Sequence, residues 1–234
     1  MSLIEADPSS RCHHSHFRNR TVRMMRLFLW LSLLVMPLSA CGQSQSAPQP
    51  GTDYEVLPQG QRWQPKSNKI EVVEVFAYWC PHCADFQPMV DAWKKKMPAG
   101  VTFHYVPAAF DPEDVYARAY FAAEIADAVP KTHSALFTAM HELGSVPMRN
   151  ATIDELGTYF AERGLNRERM VGLMRSKDVD ARMQRAREFM KANQVRGTPA
   201  VIVNGKYLIK GRSLEERMRI LDAVIAQERA AGKR

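Results

Sequence analysis

The chain has 234 residues, 46% hydrophobic and 24% charged, a balance that suits one ordinary domain or two small ones and excludes global disorder. Its 12 Gly and 14 Pro are too few for a collagen-like or linker chain, and 4 Cys are too few for a disulfide-dense scaffold. The net charge of +7 is front-loaded, with Arg11, Arg18, Arg20, Arg23 and Arg26 against Glu5 and Asp7 in residues 1–40, so the diffuse remainder argues against a nucleic-acid partner.

Residues 27–36, LFLWLSLLVM, form a short apolar run behind Arg20, Arg23 and Arg26. A basic flank, an apolar stretch and then small residues is the pattern of a secretory leader, and no run of 18 or more apolar residues is present for a permanent membrane span. The run ends in Leu38-Ser39-Ala40-Cys41, which resembles the lipobox of bacterial lipoproteins and marks Cys41 as a lipidation site, with simple cleavage to a soluble form as the alternative. Cys12, His13, His14 and His16 look like a metal cluster, but they precede the leader and are expected to be removed with it. Residues 42–53, GQSQSAPQPGTD, read as a flexible tether.

The body begins near residue 55. Ile70–Tyr78 is β-branched and aromatic and predicts a buried strand, with Glu71 near its exposed start and Glu74 awkwardly in its middle. Trp79-Cys80-Pro81-His82-Cys83 follows. Phe86, Met89, Val90, Trp93 and Met97 then recur at helical spacing around Lys94, Lys95 and Lys96, a basic run that reads as the solvated face of the helix, with Pro88 expected to kink it. Val101–Val106 predicts a second strand. Residues 112–190 carry only amphipathic helical patterns, at about 112–128, 131–144, 152–164, 166–175 and 178–193, with a capping box at Thr152/Glu155 and stops at Gly144 and Gly164. Two short strands flank Asn204-Gly205, a type I′ turn signal, and Ser213/Glu216 opens a last helix to about residue 229.

Cys80 and Cys83 are the thiols expected to remain free of lipid. Three positions apart at a helix start, they can close a small disulfide ring, and unpaired backbone N–H groups with the helix dipole favour an anion on the first sulfur. A lowered thiol pKa makes Cys80 a good attacking and leaving group. His82 can add a donor or a charge, and Pro81 pre-sets the turn. A zinc half-site lacks a second C-x-x-C, and His104, His133 and His141 show no ligand spacing with the pair. An inert structural disulfide has no reason to sit on a helix N-terminus.

VVEVFAYWCPHC, the later GTPAVIVNGKY and the helical block between them resemble the DsbA family of bacterial periplasmic thiol:disulfide oxidoreductases, over about residues 55–228. The resemblance implies an α/β, thioredoxin-like fold with an inserted all-helical domain. Residues 1–40 would be leader, 41–54 tether, 55–108 and 188–230 the thioredoxin-like domain, and 109–187 the insert. It implies a catalytic set of Cys80, Cys83, His82, Pro81 and Glu74. Thr198 and a cis Pro199 would bind an extended substrate beside a hydrophobic groove, and Pro88 is similar to the kinking proline of the thioredoxin helix. The family often pairs the buried acid, here Glu74, with a lysine on the next strand; Tyr105 stands there instead, with His104 adjacent.

The activity so implied is donation of the Cys80–Cys83 disulfide to newly secreted polypeptides. Regeneration would come from a quinone-linked membrane oxidase of DsbB type, with no cofactor, no metal, no nucleic acid and a monomeric chain. The alternatives are a disulfide reductase or isomerase on the same scaffold, and a thiol-dependent metal carrier. Against the carrier, Met89, Met97, Met170 and Met174 fall on apolar helix faces and read as core.

Overall fold

The computed structural model describes residues 47–232. The leader, Cys41 and the Cys12–His16 cluster lie outside the described residues. Five strands form one mixed sheet in the order β1-β5-β4-β2-β3: β1 Tyr54–Val56, β2 Ile70–Phe76, β3 Val101–Pro107, β4 Ala200–Val203 and β5 Tyr207–Ile209. Central β2 runs parallel to β3 and antiparallel to β4, with Glu74 level with Tyr105 on one side and Val201 on the other. A parallel neighbour needs a crossover, and α1, Pro81–Lys94, supplies it.

Between β3 and β4 come α2 Val115–Ile125, α3 Val129–His141, α4 Ile153–Ala161, α5 Arg167–Met174 and α6 Lys177–Ala192; α7, Leu214–Ala231, closes the chain. The helical patterns thus correspond to five helices, each a few residues shorter than or shifted from its predicted span. Side-chain caps explain several starts: Asp114 accepts from two backbone N–H groups of α2, Thr152 and Glu155 form the full capping box of α4, and Asn166, Ser176 and Ser213 cap α5, α6 and α7. The boundary expected at residues 187/188 falls inside α6, a continuous helix. Helix α1 likewise continues through Pro88, which sits on its exposed face.

Three readings are corrected. The tether does not reach residue 54: Asp53 and Thr52 donate backbone N–H groups to Gln49, and Tyr54 pairs with Ile209. Strand β1 was not expected at all, because three residues carry no alternation and their order comes from β5. Glu71 is buried, with no exposed surface. Its carboxylate accepts the backbone N–H groups of Trp63 (2.8 Å) and Gln64 (2.6 Å), pinning the segment before β2.

Alternation along β2 sends Glu71, Val73 and Val75 to one face and Val72, Glu74 and Phe76 to the other. Behind the sheet, Trp63 packs edge-on to Phe189 and under Arg185, both from α6. In front, α1 and α7 lie together, joined by Trp93 Nε1–H donating to Asp222. Asn204 and Gly205 both have positive φ, 54° and 62°, as the I′ turn requires. A Cβ on Gly205 would lie 2.4 Å from the Gln61 backbone, so glycine also permits that close approach. Met170 and Met174 are core, while Met89 and Met97 are only partly buried.

Candidate active site

Cys80 ends the turn after β2 and is the N-cap of α1, with extended backbone angles and Pro81 at the first helical position. Cys83 lies one turn further, and its N–H donates to the Cys80 carbonyl. Both are free thiols. Cys80 retains 6% of its surface and Cys83 none, so the first sulfur is the one open to solvent.

Their environments push the two thiols apart. Cys80 is lowered from 9.0 to about 5: the Cys83 thiol donates to it, the Thr198 side chain and the backbone N–H groups of Cys83 and His82 add to this, and burial opposes them. Cys83 is raised far above the ordinary thiol range, first by burial, then by giving its hydrogen to Cys80, and by the charge of Glu74. His82 contributes through its backbone. Its ring is exposed and has no hydrogen-bond partner among the described residues.

Across the sulfur, Thr198 and Pro199 are joined by a cis peptide bond. Cys80 Sγ lies 3.3 Å from the Thr198 carbonyl oxygen, which accepts from the protonated thiol. Pro199 is buried, and its carbonyl accepts from Arg217 Nη1 at 2.6 Å.

Glu74 lies in the same front layer, 1% exposed, with Oε2 lacking any hydrogen-bond partner. Burial raises it to about 8, against the lowering charges of Lys94 and Arg217. Tyr105 does occupy the position level with Glu74. The cations come from other elements. Lys94, on α1, donates to Tyr105 Oη (3.4 Å) and sits 4.6 Å from the centre of its ring, and Arg217 comes from α7. Sequence reasoning took Lys94 as solvated surface and missed Arg217.

A buried polar network, also unread in the sequence, ties the helical block to this turn. His133 Nδ1 accepts from Tyr78 Oη (2.8 Å), and its Nε2–H donates to Gln87 Oε1 (3.1 Å). Gln87 Nε2 donates in turn to Tyr105 Oη (2.9 Å) and Ser134 Oγ (3.2 Å). Burial, then the Lys94 charge, lowers His133 to about 3, so the ring is neutral and its tautomer is set by these partners. His141 Nε2–H donates to the Tyr78 carbonyl (2.6 Å). Ser134 Oγ donates on to Asp91 Oδ2 (2.8 Å). Gln87 and Asp91 stand four and eight positions after Cys83, one stripe of α1, which is the signal that would have found them.

Several large apolar side chains are exposed. Trp79 (37%) donates its indole N–H to Asp114 (2.9 Å), the cap of α2, just after exposed Phe110. Leu143 and Met148 are exposed in the loop that follows His141. Among the described residues no His/Cys/Asp/Glu group has the makings of a metal site, and no helix is long and apolar enough to cross a membrane.

The chain is similar to known proteins in sequence and in fold. A family model described as Thioredoxin matches residues 65–223. The thiol:disulfide interchange protein DsbA of Azotobacter vinelandii is 35% identical over 167 residues, covering 70% of this chain and 77% of that one. The crystal structure of DsbA from Xylella fastidiosa superposes with a TM-score of 0.76 at 40% identity, covering 79% of this chain and 99% of that one. Pseudomonas aeruginosa DsbA gives 0.71 at 33% identity, covering 78% and 95%. The thioredoxin-like fold with its helical insert is therefore shared with these proteins, and the chain belongs to the DsbA family of thiol:disulfide oxidoreductases.

Proposed function

We propose that this protein oxidises thiol pairs in newly secreted polypeptides in the periplasm by donating a Cys80–Cys83 disulfide. The carrying observation is the opposite displacement of the two thiols, Cys80 to about 5 and Cys83 upward. A stabilised Cys80 thiolate favours the reduced enzyme, and so makes its disulfide a strong oxidant; DsbA is itself the standard example of that effect. This favours the oxidant over a reductase, for which the disulfide would be the stable form.

A substrate thiolate attacks Cys80 Sγ, the bond to Cys83 breaks, and Cys83 departs with the electron pair. The protonated carboxyl of Glu74 supplies a proton to that sulfur. A second substrate thiolate attacks the substrate sulfur of the mixed disulfide, Cys80 leaves as thiolate, and the substrate carries the new disulfide. Pro81 fixes the turn, and His82, exposed beside the thiol, is a contact for the incoming chain. Thr198 and Pro199 offer backbone groups to an extended substrate, and Trp79, Phe110, Leu143 and Met148 suit the apolar segments of an unfolded client. A DsbB-type, quinone-linked membrane partner takes two electrons and the Cys83 proton to restore the disulfide, the second proton of the quinol coming from solvent. A lipid on Cys41 would hold the enzyme at a membrane.

The test is equilibration of the oxidised protein with a glutathione buffer, alongside oxidation of a dithiol peptide. Ready reduction in mildly reducing buffer and stoichiometric peptide oxidation are expected. A disulfide that resists reduction there would overturn the oxidant reading.

A further inference from the structure

Arg217 has no role in the reaction as written, yet it bonds to the substrate loop and its charge acts on the buried acid. It occupies the first turn of α7, packed on the front of the sheet. Nη1 holds the carbonyl of Pro199, while Nε is buried with no hydrogen-bond partner. Gly211 brings it there: with φ at 148°, its backbone passes so close that an added Cβ would lie 2.9 Å from the Arg217 amide nitrogen. In the same layer, Glu74 Oε2 is also buried and unpartnered. One unused donor on a cation and one unused acceptor on an acid, both out of water, each cost free energy unless some state of the cycle satisfies them.

The proposed exchange contains such a state. When Cys83 takes the carboxyl proton, Glu74 becomes an anion in a buried layer and needs a partner. The groups facing it are Lys94 and Asp91 from α1, Arg217 from α7, Tyr105 from β3 and the two cysteines; β4 presents Val201. Lys94 exerts the larger steady attraction, but its ammonium is exposed and engaged with the Tyr105 hydroxyl and ring. Arg217 has a free N–H.

We propose that Arg217 is a positioning residue linking the substrate loop to the buried acid: one nitrogen donates to the Pro199 carbonyl, and Nε–H donates to the Glu74 carboxylate while the mixed disulfide exists. The inference rests on the proposed proton transfer from Glu74 to Cys83. Substrate held against Thr198 and Pro199 and the ionised carboxylate would then stabilise each other through a single guanidinium. When Cys80 is released as thiolate, its charge disfavours the carboxylate, Glu74 takes a proton from solvent, and the contact opens.

The experiment combines the carboxyl titration of Glu74, followed by carbon-13 NMR in the reduced full chain, with steady-state oxidation of a dithiol peptide. Arg217→Met should raise the Glu74 midpoint by about one pH unit, a tenfold change in ionisation. It should also lower kcat and raise KM, whereas Arg217→Lys should restore the midpoint but not KM. In a Glu74→Gln background, Arg217→Met should raise KM alone. Lys94→Met should shift the midpoint and leave KM unchanged. An unmoved midpoint in both Arg217 variants, or the same kcat loss in the Glu74→Gln background, would overturn the link. If the wild type fails to oxidise the peptide, the functional reading fails, and the NMR arm still decides whether Arg217 partners Glu74.

Discussion

Glu71 and Glu74 stand three positions apart on one strand, both buried, and the sheet divides their fates. Behind it, Glu71 has two backbone N–H donors and serves as a structural pin. In front, Glu74 keeps an unpartnered oxygen beneath the thiols and is displaced upward. Burial alone does not make a carboxylate chemical. A buried acid whose lone pairs are filled belongs to the scaffold, and one whose partners arrive only during the reaction can move a proton.

Substitutions on the two faces sharpen that contrast. The largest effect is expected at the front, where Cys80→Ser should reduce dithiol oxidation by roughly a thousandfold or more, as for removal of a nucleophile, with unchanged circular dichroism. Behind the sheet, Glu71→Ala should cost about 3 kcal/mol of stability, since it strands two backbone donors bonded to a charge. Denaturant unfolding measures this, and the Cys80 titration should stay put.

Glu74→Gln should do the reverse. Because burial raises the folded acid from 4.5 to about 8, the native state holds its proton more tightly than the unfolded chain, and Glu74 costs the wild type stability progressively as pH rises through that window. Paired melts should therefore coincide near pH 4, with the variant gaining on the wild type up to about pH 8. A constant difference across that range would place Glu74 with Glu71 as mere structure.

The smallest effects concern the thiolate. Absorbance at the thiolate band should show Cys80 titrating near pH 5. Thr198→Val should raise that midpoint, and His82→Ala should raise it less, because His82 acts through an N–H that alanine retains. A larger shift from His82→Ala would show that the exposed ring, not the backbone, supports the anion.

What could be read from the sequence was local. The thiol pair, its helix, the Asn204-Gly205 hairpin, Pro199 and the helical insert each rest on a few neighbouring residues, and Glu74 stood out as an acid within a β-branched run. Glu71 was misread because its partners are backbone groups of a segment that folds back under the strand, and no side-chain pattern announces that. Lys94 was half legible: its head does face solvent, as the basic run implied, but the ammonium also lies against Tyr105. Arg217 gave no signal, because it reaches Pro199 and comes within electrostatic range of the acid only once α7 has packed on the sheet. Strand β1 exists through its pairing with β5.

His133 has a further consequence. Its ring receives the Tyr78 hydroxyl at one nitrogen and gives its hydrogen to Gln87 at the other, in a site where protonation is driven down to about 3. An imidazole so held is silent across the whole physiological range. A mild acid or alkaline shift in the surroundings therefore leaves the Tyr78–His133–Gln87 clasp between the insert and the turn that presents Cys80 in place, while the Glu74 carboxyl, raised to about 8, still answers to that shift.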